Sequence, residues 1–286
     1  MNEIGSIKKV REILADKQLR VKKHFGQNFL TDQNLLRKIA DSGKLTKASA
    51  VIEIGPGLGG LTEVLLAQAG KVLAYEIDTD LIPILNDQFR NQPHFHLLHQ
   101  DILEANIDAD IATYLKDYTD IAVIANLPYY ITTPILMRFL ETSKKVSRLI
   151  VMMQLEVASR LAAKPNTKEY NALSIVIQCR ANVKTLFKVP RTVFIPAPNV
   201  DSAVVALEIS PFTALPEDQH KAFYTFVHAC FTQRRKTLLN NLLTGPFGLS
   251  RSEYETVMSR LNIALDARAE QLEIRRFVDL YLALKE

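Results

Sequence analysis

The chain has 286 residues, 48% of them hydrophobic and with no low-complexity tract, enough to bury a sizeable core in one large domain and one smaller one. No apolar run approaches the ~20 residues of a membrane span, and the charged N-terminus lacks the apolar stretch of a signal peptide, so a cytoplasmic globular protein is expected. The net charge of +4 hides an uneven distribution: residues 1–50 carry 11 basic and 5 acidic side chains, 51–130 carry 3 and 12, 131–200 carry 11 and 3, and 201–286 carry 10 and 11.

Residues 1–20 place Ile4, Ile7, Val10, Ile13 and Leu14 on one helical face with Lys8, Lys9, Arg11 and Lys17 elsewhere, which predicts a basic amphipathic helix. The segment Lys22-Lys-His-Phe-Gly-Gln-Asn-Phe-Leu-Thr-Asp32 follows no regular period and is expected to act as a lid over a ligand. Thr31 or Asp32 then caps a helix running to about Asp41 and stopped by Gly43.

Val51-Ile-Glu-Ile-Gly-Pro-Gly-Leu-Gly-Gly-Leu-Thr62 reads as strand, tight turn and helix. Gly55, Gly57 and Gly60 let the backbone approach a ligand, and the following helix aims its free N–H groups at the same spot. A nucleotide-like ligand is implied. The spacing also satisfies the dinucleotide fingerprint, with Glu76 at the offset of its ribose-binding carboxylate, so a dehydrogenase and a methyltransferase are both admissible at this point.

Lys71–Glu76, His94–Asp101 and Ile121–Asn126 read as further buried strands, with a helix over Asp80–Phe89 between the first two. Strands alternating with helices imply a parallel sheet whose ligands bind beyond the strands' carboxyl ends, so Glu53, Gly55, Glu76, Asp101 and Asn126 are expected to converge. A cationic ligand suits so acidic a block better than a pyrophosphate does, and the flanking basic blocks suit a polyanion such as nucleic acid, with Lys22 and Lys23 among the candidate contacts. His94, His96 and His99 alternate across a strand without partner carboxylates, and no metal site is expected from them. Cys179 and Cys230 match neither a disulfide framework nor a metal spacing and read as small core residues.

The fourth strand runs into Asn126-Leu-Pro-Tyr-Tyr-Ile131, ahead of a helix from about Thr132 to Glu141. Adenine's exocyclic amine is a poor nucleophile because its lone pair is delocalised into the ring. An amide oxygen and a backbone carbonyl accepting its two N–H bonds would favour a pyramidal nitrogen, which is catalysis by positioning and electrostatics. Pro128 stiffens such a turn and Tyr129 offers a flat face with a polar tip.

Asn126-Leu-Pro-Tyr129, the glycine turn and Gln27-Asn-Phe-Leu30 together resemble the ribosomal RNA adenine N(6)-dimethyltransferases, and the likeness continues through Gln154-Leu-Glu156, Phe194-Ile-Pro-Ala-Pro-Asn-Val-Asp-Ser202 and Phe231-Thr-Gln-Arg-Arg-Lys-Thr-Leu238. The opening motif and the Gln-Arg-Arg-Lys run are most similar to the bacterial members that dimethylate two adjacent adenosines near the 3′ end of 16S rRNA in the small ribosomal subunit. The resemblance implies S-adenosyl-L-methionine as cofactor, held by Asn28, Leu30, Gly55, Gly57, Glu76, Asp101 and Asn126, with Glu76 on the ribose hydroxyls and Asp101 on the adenine amine. It implies that Asn126, Leu127, Pro128 and Tyr129 hold the target adenine, with Phe194 stacked on its other face. Alternatives are a 23S rRNA methyltransferase of the antibiotic-resistance type and an RNA-binding assembly factor on the same fold.

Farther along, Arg148–Gln154, Asn171–Arg180 and Val200–Ile209 are expected as strands completing a seven-stranded, mostly parallel, Rossmann-like α/β sheet. Pro211–Pro216 is the expected linker, dividing a methyltransferase domain over 1–210, with helix and lid in 1–45, from a helical RNA-binding domain over 211–286. Helices are predicted over Glu217–Phe231, Arg234–Leu243, Ser252–Leu261 and Ala269–Leu284, with Arg234, Arg235 and Lys236 as a phosphate clamp. A monomer is expected.

Overall fold

The computed structural model describes residues 4–17, 19, 21, 22 and 25–285. The chain opens with α1 (Ile7–Asp16), whose first turn is capped by Ser6 and whose Val10 and Ile13 are buried. A two-residue strand β1 (Phe29–Leu30) leads to α2 (Gln33–Ser42), which begins where the Asp32 carboxylate accepts from the N–H groups of Asn34 and Leu35. Alternation then sets in: β2 (Ser49–Ile54), α3 (Gly60–Gln68), β3 (Lys71–Glu76), α4 (Ile82–Phe89), β4 (Phe95–His99), α5 (Ile107–Tyr114), β5 (Asp120–Asn126), α6 (Thr132–Thr142) and β6 (Val146–Gln154). The remainder comprises α7 (Leu155–Leu161), α8 (Ala172–Gln178), β7 (Ala181–Val189), β8 (Phe194–Ile195), β9 (Ser202–Ile209), α9 (His220–Cys230), α10 (Leu238–Leu242), α11 (Arg251–Arg260) and α12 (Ile274–Ala283).

Seven strands form one sheet in the order β4-β3-β2-β5-β6-β9-β7. β3 pairs parallel with β2 and β4, and β5 pairs parallel with β2 and β6, while β9 runs antiparallel to β6. The expected mostly parallel α/β sheet is therefore present. Parallel neighbours need crossover helices, so strands buried on both faces read as continuous apolar runs, as β2 does with all six of its residues buried. From β2 the chain first moves outward to β3 and β4 and then returns to the other side as β5. That reversal makes the crevice beyond β2 and β5 the topological switch point where ligands of such sheets bind.

The sixth strand differs from expectation. Asn171–Arg180 is not a strand: Asn171 caps α8 through a reciprocal capping box with Ser174, and the strand is Ala181–Val189. Apart from Ser174 the run Ala172–Ile177 is apolar and has no alternation, so periodicity cannot separate a buried strand from a buried helix there, and the cap decides. In the C-terminal part, Arg234–Lys236 lies in a turn ahead of α10 rather than inside a helix, because Thr237 is the residue whose hydroxyl caps the first turn.

The chain separates into two compact units. One holds the residues through Ala158 together with Lys184–Ile209, and the other holds Ser159–Val183 together with the residues from Ser210 on. The break after Ile209 lies beside the proline-flanked linker, but the second unit also recruits Ser159–Val183, a return of the chain that no local punctuation announces. Its core is aromatic: Tyr281 packs against Phe223, Phe226 and Phe247 at centroid distances of 5.5, 5.6 and 6.0 Å.

Candidate active site

At the carboxyl end of β2 the chain turns through Gly55 and Gly57, both at positive φ (64° and 60°), before Gly59 opens α3. A Cβ at Gly55 would meet nothing within 4 Å, so the main chain there faces open space. That space is a cleft of about 180 Å³. Gly55, Gly57, Glu76 and Asp101 line it from the sheet side, Asn28 and Leu30 from the lid, and Asn126, Leu127, Pro128 and Tyr129 from the turn after β5. Residues separated by up to about a hundred positions thus meet as the strand-end pattern requires.

The carboxylates differ in state. Glu76 is buried, which pushes its pKa up, but its Oε1 accepts from the N–H groups of Ile77 and Asp78, both at 2.9 Å, and its Oε2 from Gly57 N–H at 3.3 Å. Asp101 accepts from Leu103 N–H at 2.9 Å and lines the cleft. Glu53 is only 1% exposed. Burial, opposed by a 2.7 Å hydrogen bond from Thr62 Oγ1 and reinforced by the charge of Glu76, pushes its pKa up to about 8, so it is largely protonated at neutral pH. Its state could not be read from the strand pattern, which only marks it as buried.

The turn after β5 is held from several sides. Asn126 donates Nδ2 to the Asn28 carbonyl at 3.3 Å, and Leu127 N–H donates to the Met152 carbonyl at 3.0 Å. Pro128's carbonyl accepts from Thr132 Oγ1 at 3.0 Å and Ile131 N–H at 3.3 Å, committing it to the start of α6. Tyr129 is tied by its hydroxyl to Ser202 Oγ at 2.6 Å; burial raises its pKa against that bond, and it stays neutral.

Phe194 and Lys22 stand elsewhere than expected. Phe194 does not project from its loop: β8 pairs antiparallel with β1, opposing Phe194 to Leu30, and the ring is 3% exposed within the core cluster of Leu36, Ile39 and Val204. Burying an aromatic ring is worth more than leaving it in water, so the strand pairing turns it inward. Lys22 is not available to RNA. Its Nζ is 2.5 Å from Asp78 Oδ1 and 2.7 Å from Asp80 Oδ2, while Gln27 Nε2 donates to Asp78 Oδ2 at 2.6 Å. Lys23 lies outside the described residues. Arg234, Arg235 and Lys236 are exposed in their turn, but Arg234 is paired with Glu270 at 3.0 Å.

The Lys22–Asp78–Gln27 cluster escaped sequence reading because Asp78 lies 56 and 51 positions from the two lid residues. Asn106, whose side chain accepts from Ala109 N–H to start α5, was a legible cap that was missed. Among the described residues no group of three or more His, Cys, Asp or Glu side chains could hold a metal ion, and no helix is long and apolar enough to cross a membrane.

A Rossmann-like sheet with an antiparallel strand at one side and an acidic cleft at its switch point defines the methyltransferase class. Within that class the chain belongs to the ribosomal RNA adenine dimethylase family, whose model matches residues 18–286. It is 45% identical over 283 residues to the "Ribosomal RNA small subunit methyltransferase A" of Levilactobacillus brevis, covering 97% of this chain and 95% of that one. Two solved structures share the fold. A dimethyladenosine transferase from Plasmodium falciparum superposes with TM-score 0.72 at 24% identity, covering 88% of this chain and 96% of that one. The 23S rRNA methyltransferase ErmE superposes with TM-score 0.68 at 25% identity, covering 91% and 100%. The protein is thus an rRNA adenine methyltransferase by family.

Proposed function

We propose that the cleft binds S-adenosyl-L-methionine and that the protein methylates the exocyclic amines of two adjacent adenosines near the 3′ end of small-subunit (16S) rRNA. The cleft suits that cofactor. Open space at Gly55 admits it against the main chain, Glu76 and Asp101 are acceptors for hydroxyl and amine groups, and Ile77, Ile102 and Leu103 supply apolar walls. When bound it would supply an electrophilic methyl group on a positively charged sulfur, a charge that suits a cleft walled by Glu76 and Asp101.

The observation that carries the reading is the Asn126 turn inside this same cleft. Asn126 spends its N–H on the Asn28 carbonyl and so presents its oxygen; Pro128's carbonyl is committed to α6, which leaves the Leu127 carbonyl as the second acceptor. Those two oxygens hold the amine's two N–H bonds and turn its lone pair outward, concentrating electron density on nitrogen without a general base. Tyr129, fixed by Ser202, bounds the base. In the helical unit the exposed turn of Arg235 and Lys236 offers phosphate contacts that position the RNA.

Labelled methyl donor tests this. Transfer to assembled small-subunit particles, with the label mapping to two neighbouring adenosines, is expected. Transfer to naked 23S RNA instead would assign the protein to the large-subunit type, and binding to particles without turnover would make it an assembly factor.

A further inference from the structure

The match to the rRNA adenine dimethylase family begins at residue 18, so α1 and the turn before it precede the matched part. They nevertheless reach the cleft. Ile4, Gly5 and Val10 line it, the only lining residues among those described that stand ahead of the match.

Several contacts hold this segment against the cleft. Ile4 N–H donates to Glu63 Oε2 at 2.9 Å across 59 positions, and Glu63 belongs to the first turn of α3, the helix that opens at the glycine turn. Gly5 lies against the same helix start: a Cβ on Gly60 would sit 3.1 Å from Gly5 Cα. A Cβ on Gly5 would collide with the Leu36 side chain and come within 2.9 Å of Gln33 Nε2, so bare main chain is what fits there. Behind that turn α1 lays Val10 and Ile13 into a cluster with Phe29, Leu58, Leu85 and Phe89, while Lys8, Arg11 and Lys17 stay in solvent. Phe29 and Leu58 line the cleft as well, so α1 docks on the cleft's own wall.

This placement matters for a ligand. Small-molecule sites bury most of their ligand's surface, and a missing wall is affinity lost to solvent. α3 starts at Gly59 with no side-chain cap, which leaves its first N–H groups to water or to a ligand. The chain packed on Gly60 closes one side from which water could reach them.

We propose that residues 4–16 form a strap that completes the cofactor cleft, with Ile4 and Gly5 as positioning residues that set the affinity for S-adenosylmethionine and take no part in methyl transfer. This rests on the reading of the cleft as the cofactor site.

Full-length Gly5→Val, Ile13→Asp and Ile13→Leu are compared with wild type by calorimetry with S-adenosylmethionine and by methyl transfer to small-subunit particles. Gly5→Val wedges the strap away from Leu36, and Ile13→Asp pulls α1 from its cluster without altering a residue that lines the cleft. Each is expected to weaken cofactor affinity by roughly tenfold. For Ile13→Asp the KM for S-adenosylmethionine rises by the same factor, whereas kcat at saturating cofactor and the KM for particles stay at wild-type values; Ile13→Leu keeps wild-type affinity. Wild-type affinity in either Gly5→Val or Ile13→Asp would overturn the proposal. So would a fall in kcat at saturating cofactor for Ile13→Asp, which would make α1 a support of the fold as a whole. Wild type that binds no S-adenosylmethionine would instead sink the reading of the cleft, and the strap's role with it.

Discussion

The side-chain amide of Asn126 donates to the main-chain carbonyl of Asn28 across 98 positions of sequence, at 3.3 Å. An amide whose N–H₂ end is bound to a carbonyl presents its oxygen to whatever occupies the space beyond, and here that space is the cleft. The lid therefore sets the orientation of the Asn126 amide.

Asn126→Ala removes that oxygen and leaves the carboxylate wall intact. Transfer is expected to fall by about 10²–10³-fold, the usual cost of one preorganised polar contact to the reacting group. Cofactor affinity, read by calorimetry, should stay within a few-fold of wild type. Undiminished methylation of small-subunit particles would remove Asn126 from the chemistry.

Glu76→Ala acts on the other partner. Its carboxyl group is held at a fixed position by the N–H groups of Gly57, Ile77 and Asp78. Losing this acceptor should weaken S-adenosylmethionine binding on the order of tenfold to a hundredfold. Calorimetry showing unaltered affinity would count against the ribose role.

Lys22, Gln27 and Asp78 tether the lid to the segment after β3. Burial works against the charge on Asp78, but hydrogen bonds from Lys22, the Asp80 N–H and Gln27 outweigh it and hold its carboxyl below the usual aspartate range. With the folded pKa below the ordinary value of 3.8, this contribution to stability is present above that value. It is lost as pH falls through the lower folded one. Asp78→Asn is expected to lower the protection of the amides of residues 25–30 at neutral pH and to remove the loss of that protection, measured against the intrinsic exchange rate at each pH, on acidification in this range. Exchange as slow as wild type would show that the lid is held by packing alone.

Glu53 has the opposite sign. Its folded pKa of about 8 lies above the ordinary 4.5, so the folded state holds a proton that the unfolded chain releases, and stability declines as pH rises between those values. Glu53→Gln, neutral at every pH, should be more stable than wild type at pH 8 by on the order of a few kcal/mol and close to it at pH 4.5. Urea denaturation at the two pH values checks this; an equal offset at both would mean that Glu53 does not change its charge on unfolding.

Much of the site is legible in local sequence because it hangs from strand ends. A β-branched run stopping in glycine, acid or amide marks the carboxyl end of a parallel strand, and Gly55, Glu76, Asp101 and Asn126 all meet in the cleft for that reason. The helix start at Asp32 is legible through its cap, whereas the helix expected over residues 1–20 begins only at Ile7, after the Ser6 cap. Asn171 carries the same signal, but the largely apolar run after it fits a buried strand equally well, and only the capping box with Ser174 separates the two.

Residue order and short-range chemistry sufficed for the alternation of strands and helices, the positive-φ glycine turn and the amide-proline-tyrosine turn, since each depends on neighbours a few positions away. Partnership across the chain was beyond their reach. Lys22 is a basic residue until Asp78 is brought 2.5 Å from it, and Phe194 is a loop aromatic until its pairing with Leu30 buries it. The free energy of a charge or an aromatic face depends on what surrounds it, and here those surroundings come from segments tens to more than a hundred residues away.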